Sequence, residues 1–332
     1  MRITVLGAGS WGTTLSILLW NNSHKVTLWC YEEDLAREMN QKRENTLFLP
    51  GTTIPKEIEI TSVLEQAVSK NDLLVCAVPS QFIRQVLTKI CKHDFRETLI
   101  VNVAKGIENE SLMTISEIIL DVLPTVRREK IVTLSGPSFA EEVAHRIPTA
   151  VVASSISLES AKIAQEVFFT PYFRVYSSTD IKGVELGGSM KNVIAIGTGI
   201  ADGAGYGDNT KAAIITRATV EISRLGTAMG ANPKTFAGLS GIGDLIATCI
   251  SKHSRNRHVG EEIGKGRKLN DVLSEMVMVA EGVPTTKSLY QLAKKYQIEL
   301  PIVNEVYQVL FEDKDPIQAA SDLMMRDAKI EM

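Results

Sequence analysis

Short apolar runs alternate with longer amphipathic stretches through the first half of the chain. The runs at residues 3–6, 25–29, 73–78, 98–103, 131–134, 149–153 and 173–176 are rich in Val, Ile and Leu. They are apolar at consecutive positions, the habit of strands buried on both faces of a parallel sheet. Helix-length stretches lie between them, for instance at 15–20, 81–90 and 111–122. Strand alternating with helix predicts an α/β fold, a Rossmann-like doubly wound parallel sheet.

After about residue 178 the pattern changes. Residues 184–199, 211–229, 245–249, 270–278, 285–296 and 304–310 read as helical, and strand candidates nearly vanish. Gly226 and Gly230 bracket one expected helix end, and Pro301 follows another. The chain is therefore expected to form two domains. Residues 1–178 would make a dinucleotide-binding Rossmann-like domain, and residues 179–332 a mostly α-helical domain holding substrate and catalytic groups. A chain of 332 residues suits two domains of ~150 residues each.

Composition narrows the class of ligand. The 44% apolar content suffices for more than one core. A net charge of −3 excludes a global basic field for nucleic acid or an anionic membrane, so an anionic ligand must be held by a local cluster. Cys30, Cys76, Cys91 and Cys249 form no Cys-x-x-Cys pair, which suits neither a disulfide framework nor a zinc site. Reduced thiols in a cytosolic protein are the simpler expectation. The first strand begins by Ile3, leaving no space for a signal peptide. No apolar run reaches the ~18 residues of a membrane span. The expectation is a soluble cytoplasmic protein without stable membrane insertion.

The strongest motif is Gly7-Ala8-Gly9-Ser10-Trp11-Gly12. It follows an apolar strand and opens a helix, the setting that makes a G-x-G-x-x-G spacing meaningful. Gly7 would permit the tight turn, Gly9 the close approach of a pyrophosphate, and Gly12 the packing of helix on strand. The helix N-terminus would offer free N–H groups to the anion. The second strand ends Leu28-Trp29-Cys30-Tyr31, followed by Glu32 and Glu33. No acid stands at its tip and no arginine appears before Arg37, so NAD and NADP are both open.

Further candidates lie downstream. Lys105 follows the strand at 98–103, where ligands of open parallel sheets bind, although a surface lysine would read the same. In Ser135-Gly136-Pro137-Ser138-Phe139-Ala140-Glu141, Ser138 and Glu141 have capping-box spacing. Lys191 has Gly187, Gly188, Ile194 and Ala195 as its helical neighbours, none of them acidic. Such a lysine either snorkels to water or faces a cavity, and desolvation would lower its pKa towards that of a general acid or base. Residues 251–258, Ser-Lys-His-Ser-Arg-Asn-Arg-His, are dense in donors suited to phosphate, with a solvated basic loop as the alternative. Their histidines lack a neighbouring acid and make a poor metal set.

Taken in order, these stretches resemble the bacterial-type glycerol-3-phosphate dehydrogenases that use NAD(P). The resemblance runs through Gly7 to Thr13, Ala104-Lys105-Gly106, Ser135 to Ala140, Glu185 to Ala195, Gly241-Ile242-Gly243-Asp244-Leu245 and Ser254-Arg255-Asn256-Arg257. It implies an oxidoreductase that reversibly reduces dihydroxyacetone phosphate to sn-glycerol 3-phosphate with NADPH or NADH and no metal, feeding glycerophospholipid synthesis. It implies Lys191 as proton donor and acceptor with Lys105 beside it. Implied substrate contacts are Lys105, Gly136, Ser138, Lys191, Asp244, Ser254, Arg255 and Asn256. Implied cofactor contacts, besides Gly7, Gly9 and Gly12, are Ser10, Trp11, Tyr31, Lys105, Ala140, Arg255, Val279 and Glu281. On this reading Lys105 would also depress the Lys191 pKa by like-charge repulsion. Relatives often carry a basic residue where this chain has Tyr31, which weakens any inherited NADPH preference. The rival is a β-hydroxyacid or 6-phosphogluconate-type dehydrogenase, disfavoured by the Ser254-Arg255-Asn256 set. A homodimer is the base-rate expectation.

Overall fold

A computed structural model of the protein describes residues 1–328, 330 and 331. Ten strands form in chain order: β1 (Arg2–Leu6), β2 (Lys25–Trp29), β3 (Glu44–Asn45), β4 (Leu49–Thr53), β5 (Glu59–Thr61), β6 (Leu73–Cys76), β7 (Leu99–Asn102), β8 (Ile131–Ser135), β9 (Thr149–Ser154) and β10 (Phe173–Ser178). Eight of them make one sheet in the order β10-β9-β8-β7-β6-β1-β2-β5, and β3 pairs with β4 in a small antiparallel hairpin. Strands β6, β7 and β8 are buried along their whole length, as their unbroken apolar runs predict. From β5 to β8 every pairing is parallel, the 3-2-1-4-5-6 order of a Rossmann sheet.

The sheet is parallel as expected except at one edge. β9 runs antiparallel to β8, and β10 then runs parallel to β9. The connection from β8 to β9 holds only a five-residue helix, Ala140–Ala144. That is too little to carry the chain back across the sheet, which a parallel crossover requires. The sequence of β10 reflects its edge position, because buried and exposed residues alternate at Phe173, Arg174, Val175 and Tyr176.

The second half is helical. The helix Ile181–Gly203 is buried through most of its length and forms its axis. The helices Asp208–Ala228, Asp244–Ile250, Arg255–Gly264, Gly282–Tyr296 and Pro301–Phe311 pack around it. Its contact with Arg255–Gly264 is the closest. A Cβ on Gly199 would stand 2.0 Å from the Arg257 carbonyl oxygen, and one on Gly260 would stand 2.0 Å from that of Ile196. Only glycine on both sides lets these backbones touch. Of the donor-rich segment, residues 251–254 lead into the helix at 255–264 and residues 255–258 form its first turn, where a solvated loop was the alternative. Gly226, read as a helix stop, lies inside Asp208–Ala228, where it makes room for the Phe236 ring.

Glu185 fastens the axial helix to the sheet half. Its buried carboxylate accepts from the Ser116 amide at 2.8 Å, the Ser116 hydroxyl at 2.6 Å and the Thr133 hydroxyl at 3.2 Å. Burial raises its pKa against these bonds. Among the described residues no helix is long and apolar enough to cross a membrane.

Candidate active site

A cleft of about 550 Å³ runs from the glycine turn to the axial helix. Its first wall lies where the sheet order reverses, between β1 and β6, the position at which open α/β sheets take ligands. Gly7 has φ +105°, and a Cβ there would meet the Ala77 carbonyl oxygen at 2.8 Å. A Cβ on Gly12 would lie 1.8 Å from the Gly7 oxygen, so that position also admits only glycine. Over Gly9 nothing lies within 4 Å of such a Cβ. Gly9 stands at the N-cap of the helix Ser10–Asn21, without a side-chain cap or an acid in the first turn. The turn is thus tight on the protein side and open on the cleft side, with amide donors unspent. These features fit a dinucleotide pyrophosphate. Asn45, on the hairpin that the sequence did not disclose, braces the turn by donating to the Ala8 carbonyl at 2.8 Å and the Thr13 hydroxyl at 2.9 Å.

At the other end, three segments meet on one carboxylate. Lys105, past the tip of β7, donates to Asp244 Oδ2 at 2.8 Å and to the Gly136 carbonyl at 2.8 Å. Lys191, in the axial helix, donates to Asp244 Oδ1 at 2.5 Å and to the Thr248 hydroxyl at 2.7 Å. An ammonium has three N–H donors, so each lysine keeps one beyond these bonds, and both lysines line the cleft. Asp244 begins the helix Asp244–Ile250 and is brought close by Gly241, whose Cβ would collide with the Phe236 backbone.

Lys191 therefore has an acidic partner that its helical neighbours do not supply. The partner comes from 53 residues along the chain. Burial pushes the Lys191 ammonium down to about 8; the Asp244 charge opposes that shift and the Lys105 charge adds to it. Like-charge repulsion by Lys105 is thus present but secondary to desolvation.

The donor-rich segment divides. Ser254 caps its helix, accepting from the Arg257 amide at 3.2 Å. Arg257 turns away to pair with Asp202 at 2.6 Å. Arg255 faces the cleft and donates one N–H to the Val279 carbonyl at 3.0 Å. Asn256 donates to Asn192 Oδ1 at 2.9 Å and accepts from the Gly282 amide at 2.8 Å. The structure thus brings Ser138, Ser254, Arg255 and Asn256 to the same cleft as the two lysines. Gly136 stands behind it, its carbonyl taken by Lys105 and by the Ser138 hydroxyl at 3.0 Å. The capping box expected of Ser138 and Glu141 does not form, because Phe139 is the N-cap and no side chain bonds there.

The expected cofactor residues Ser10, Trp11, Tyr31, Ala140, Val279 and Glu281 all line the same cleft. Glu281 also joins the two halves, accepting from the Ser80 amide at 2.8 Å and from the Ser80 hydroxyl. Burial raises its pKa, and those bonds pull it back. Thr248, Asn192 and Ser80 escaped the sequence reading. Thr248 lies four residues after Asp244, so helical spacing was a usable signal for it alone.

Comparison with known proteins decides the family. The family model described as the NAD-dependent glycerol-3-phosphate dehydrogenase N-terminus matches residues 2–161, and that of the C-terminus matches residues 180–321. The chain belongs to the NAD-dependent glycerol-3-phosphate dehydrogenase family. It is 54% identical over 332 residues to the glycerol-3-phosphate dehydrogenase (NAD(P)+) of Prosthecochloris aestuarii, covering 100% of both chains. It is 51% identical over 332 residues to that of Syntrophotalea carbinolica, again covering 100% of both. Among solved structures it is similar to glycerol-3-phosphate dehydrogenase from Coxiella burnetii, with TM-score 0.93, 37% identity and coverage of 98% and 99%. D-mandelate dehydrogenase, at 12% identity and TM-score 0.64, shares the fold. The β-hydroxyacid and 6-phosphogluconate-type alternative is set aside by the family match. The protein is an NAD(P)-dependent oxidoreductase.

Proposed function

We propose that the chain reversibly reduces dihydroxyacetone phosphate to sn-glycerol 3-phosphate, with Lys191 transferring the proton and Arg255 holding the phosphate. The observation that carries this reading is the Lys105–Asp244–Lys191 cluster, in which each lysine retains a donor beside a cleft opening on a dinucleotide turn. When bound, the reduced nicotinamide supplies hydride to the carbonyl carbon. Lys191 gives its proton to the carbonyl oxygen as negative charge develops there, and takes it back in the reverse direction. A pKa near 8 lets it do both close to neutral pH. Lys105 adds positive charge beside the same oxygen. Asp244 keeps the two ammonium groups adjacent.

Arg255 retains most of its five donors for the phosphate. Gripping this remote group fixes the carbonyl against Lys191 and contributes binding energy at the reacting centre. Ser138 and Ser254 supply hydroxyls in the same cleft. Asn256 acts through Asn192 and Gly282, positioning the walls.

The same reading takes residues 1–178 and 179–332 as the two domains, a homodimer as the assembly and the cytoplasm as the location, with the product passing to glycerophospholipid synthesis. The test is to supply dihydroxyacetone phosphate with NADH or NADPH and follow loss of the reduced cofactor. Turnover with either supports the assignment, and no turnover with both overturns it.

A further inference from the structure

The end of the cleft beyond the glycine turn has side chains that the reaction leaves unexplained. Tyr31 stands there, 64% exposed, in a lining shared with Glu32, Phe82, Gln85 and Lys89. The Tyr31 ring meets Trp29 edge to face at 6.1 Å, and the Lys89 ammonium lies 5.6 Å from its centroid. Glu32 is the N-cap of the helix Glu33–Lys42 but gives that helix no side-chain bond. Its carboxylate is therefore not consumed by capping. Glu33 and Asp34 follow in the first turn, and Arg37 pairs with both of them. Lys89 is exposed and is the one cation at this end with no ion pair among the described residues.

We propose that this chain selects NAD(H) over NADP(H), with Tyr31 as a platform for adenine and the Glu32 carboxylate as the reader of the adenosine ribose. The inference rests on the dinucleotide-binding reading above. A carboxylate accepts hydrogen bonds from ribose hydroxyls, and an acid after the second strand of such folds favours the unphosphorylated cofactor. A 2′-phosphate brought to the same place meets the charge of Glu32, with Glu33 and Asp34 close behind. Of the cations of that helix, Arg37 is already spent on these acids and Lys42, in its last turn, pairs with Glu38. Lys89 is a single exposed ammonium, a flexible point charge screened by solvent and lacking the forked donors that fix a phosphate. Repulsion of a dianion by an exposed carboxylate a few ångströms away, plus the hydroxyl bond lost, amounts to roughly 10- to 100-fold in affinity.

The test measures binding rather than turnover. NADH and NADPH are titrated into the full-length protein by their fluorescence, and ADP-ribose and its 2′-phosphorylated form are then competed against bound NADH. The expected result is NADH tighter by roughly 10- to 100-fold, with the same order for the two fragments. Glu32→Gln keeps an acceptor and removes the charge, and is expected to bring the two dinucleotides within a few-fold of each other. In Lys89→Ala the NADH-to-NADPH ratio is expected to stay as in the parent. Equal or tighter binding of NADPH by the parent protein overturns the proposal. So does a selective loss of NADPH binding in Lys89→Ala, which would make Lys89 the reader of a phosphate. If neither dinucleotide binds, the cofactor reading itself fails; if both bind alike, only this inference does.

Discussion

The two ends of the cleft are built in opposite ways. The glycine turn is one contiguous stretch in which three backbone positions meet local steric demands: a positive φ at Gly7, an open face at Gly9 and contact with the Gly7 oxygen at Gly12. The proton-transfer end is assembled from Lys105, Lys191 and Asp244, which come from three elements and meet through side chains alone. The first is set by its own backbone, with the Ala77 carbonyl and the Asn45 amide bracing it from neighbouring segments. The second exists only when the axial helix is pinned to the sheet through Glu185 and the helix at Asp244 is seated through Gly241. A site that binds can be local, whereas this site for proton transfer needs both halves in register.

That difference predicts separable failures. The largest effect is expected at Lys191. Lys191→Met removes the proton donor and should lower kcat by about 10³-fold or more, since general acid catalysis and charge beside the oxygen are lost together. Dinucleotide affinity, measured by fluorescence titration, should change by no more than a few-fold. Substantial residual turnover would remove Lys191 from the proposed role. The converse variant is Gly12→Ala. Its Cβ cannot be placed 1.8 Å from the Gly7 oxygen, so the turn must open or the helix must shift. Overpacking of this kind costs about 1–3 kcal/mol. Dinucleotide affinity should fall by roughly 10-fold or more for that displacement, with the thermal midpoint lowered as well. Unchanged affinity would show that the turn tolerates movement and that its tightness is not what binds.

The same contrast explains what could be read beforehand. The sheet was legible because its strands are buried on both faces and so leave unbroken apolar runs, and the axial helix was legible by length. The turn was legible because its glycines answer to local backbone sterics. The reversal of β9 was not, because it depends on the length of a short helix between Gly136 and Thr149. The helix Arg255–Gly264 was not foreseen because its first turn is crowded with donors and it carries glycines at 260 and 264. These glycines are contact points against the axial helix, a property visible only with the partner present. The absence of an acid near Lys191 in sequence was a correct local observation, and the lysine does face the cleft with a lowered pKa; what it could not give was the partner. Its partner arrives through a fold-level contact that no helical spacing encodes.

That partner supports the finest prediction, which concerns pH. With a Lys191 pKa of about 8, ketone reduction requires the ammonium and should lose rate as pH rises through that value. Alcohol oxidation requires the free amine and should lose rate as pH falls through it. Burial depresses this pKa, while the Asp244 carboxylate holds it up and the Lys105 charge pushes it further down. In Asp244→Asn the main opposing charge is gone and the two depressing influences remain. The midpoints of both profiles should therefore move to lower pH, so that reduction at neutral pH declines more than oxidation does. Profiles of kcat/KM in each direction would measure this. A midpoint that stays in place would mean either that the titrating group is not Lys191 or that Asp244 serves only to hold the lysines together. Asp244→Glu separates these, because it restores a negative charge with altered reach. A midpoint returned towards that of the parent, even at a lowered rate, would assign the shift to charge, since position alone would remain disturbed.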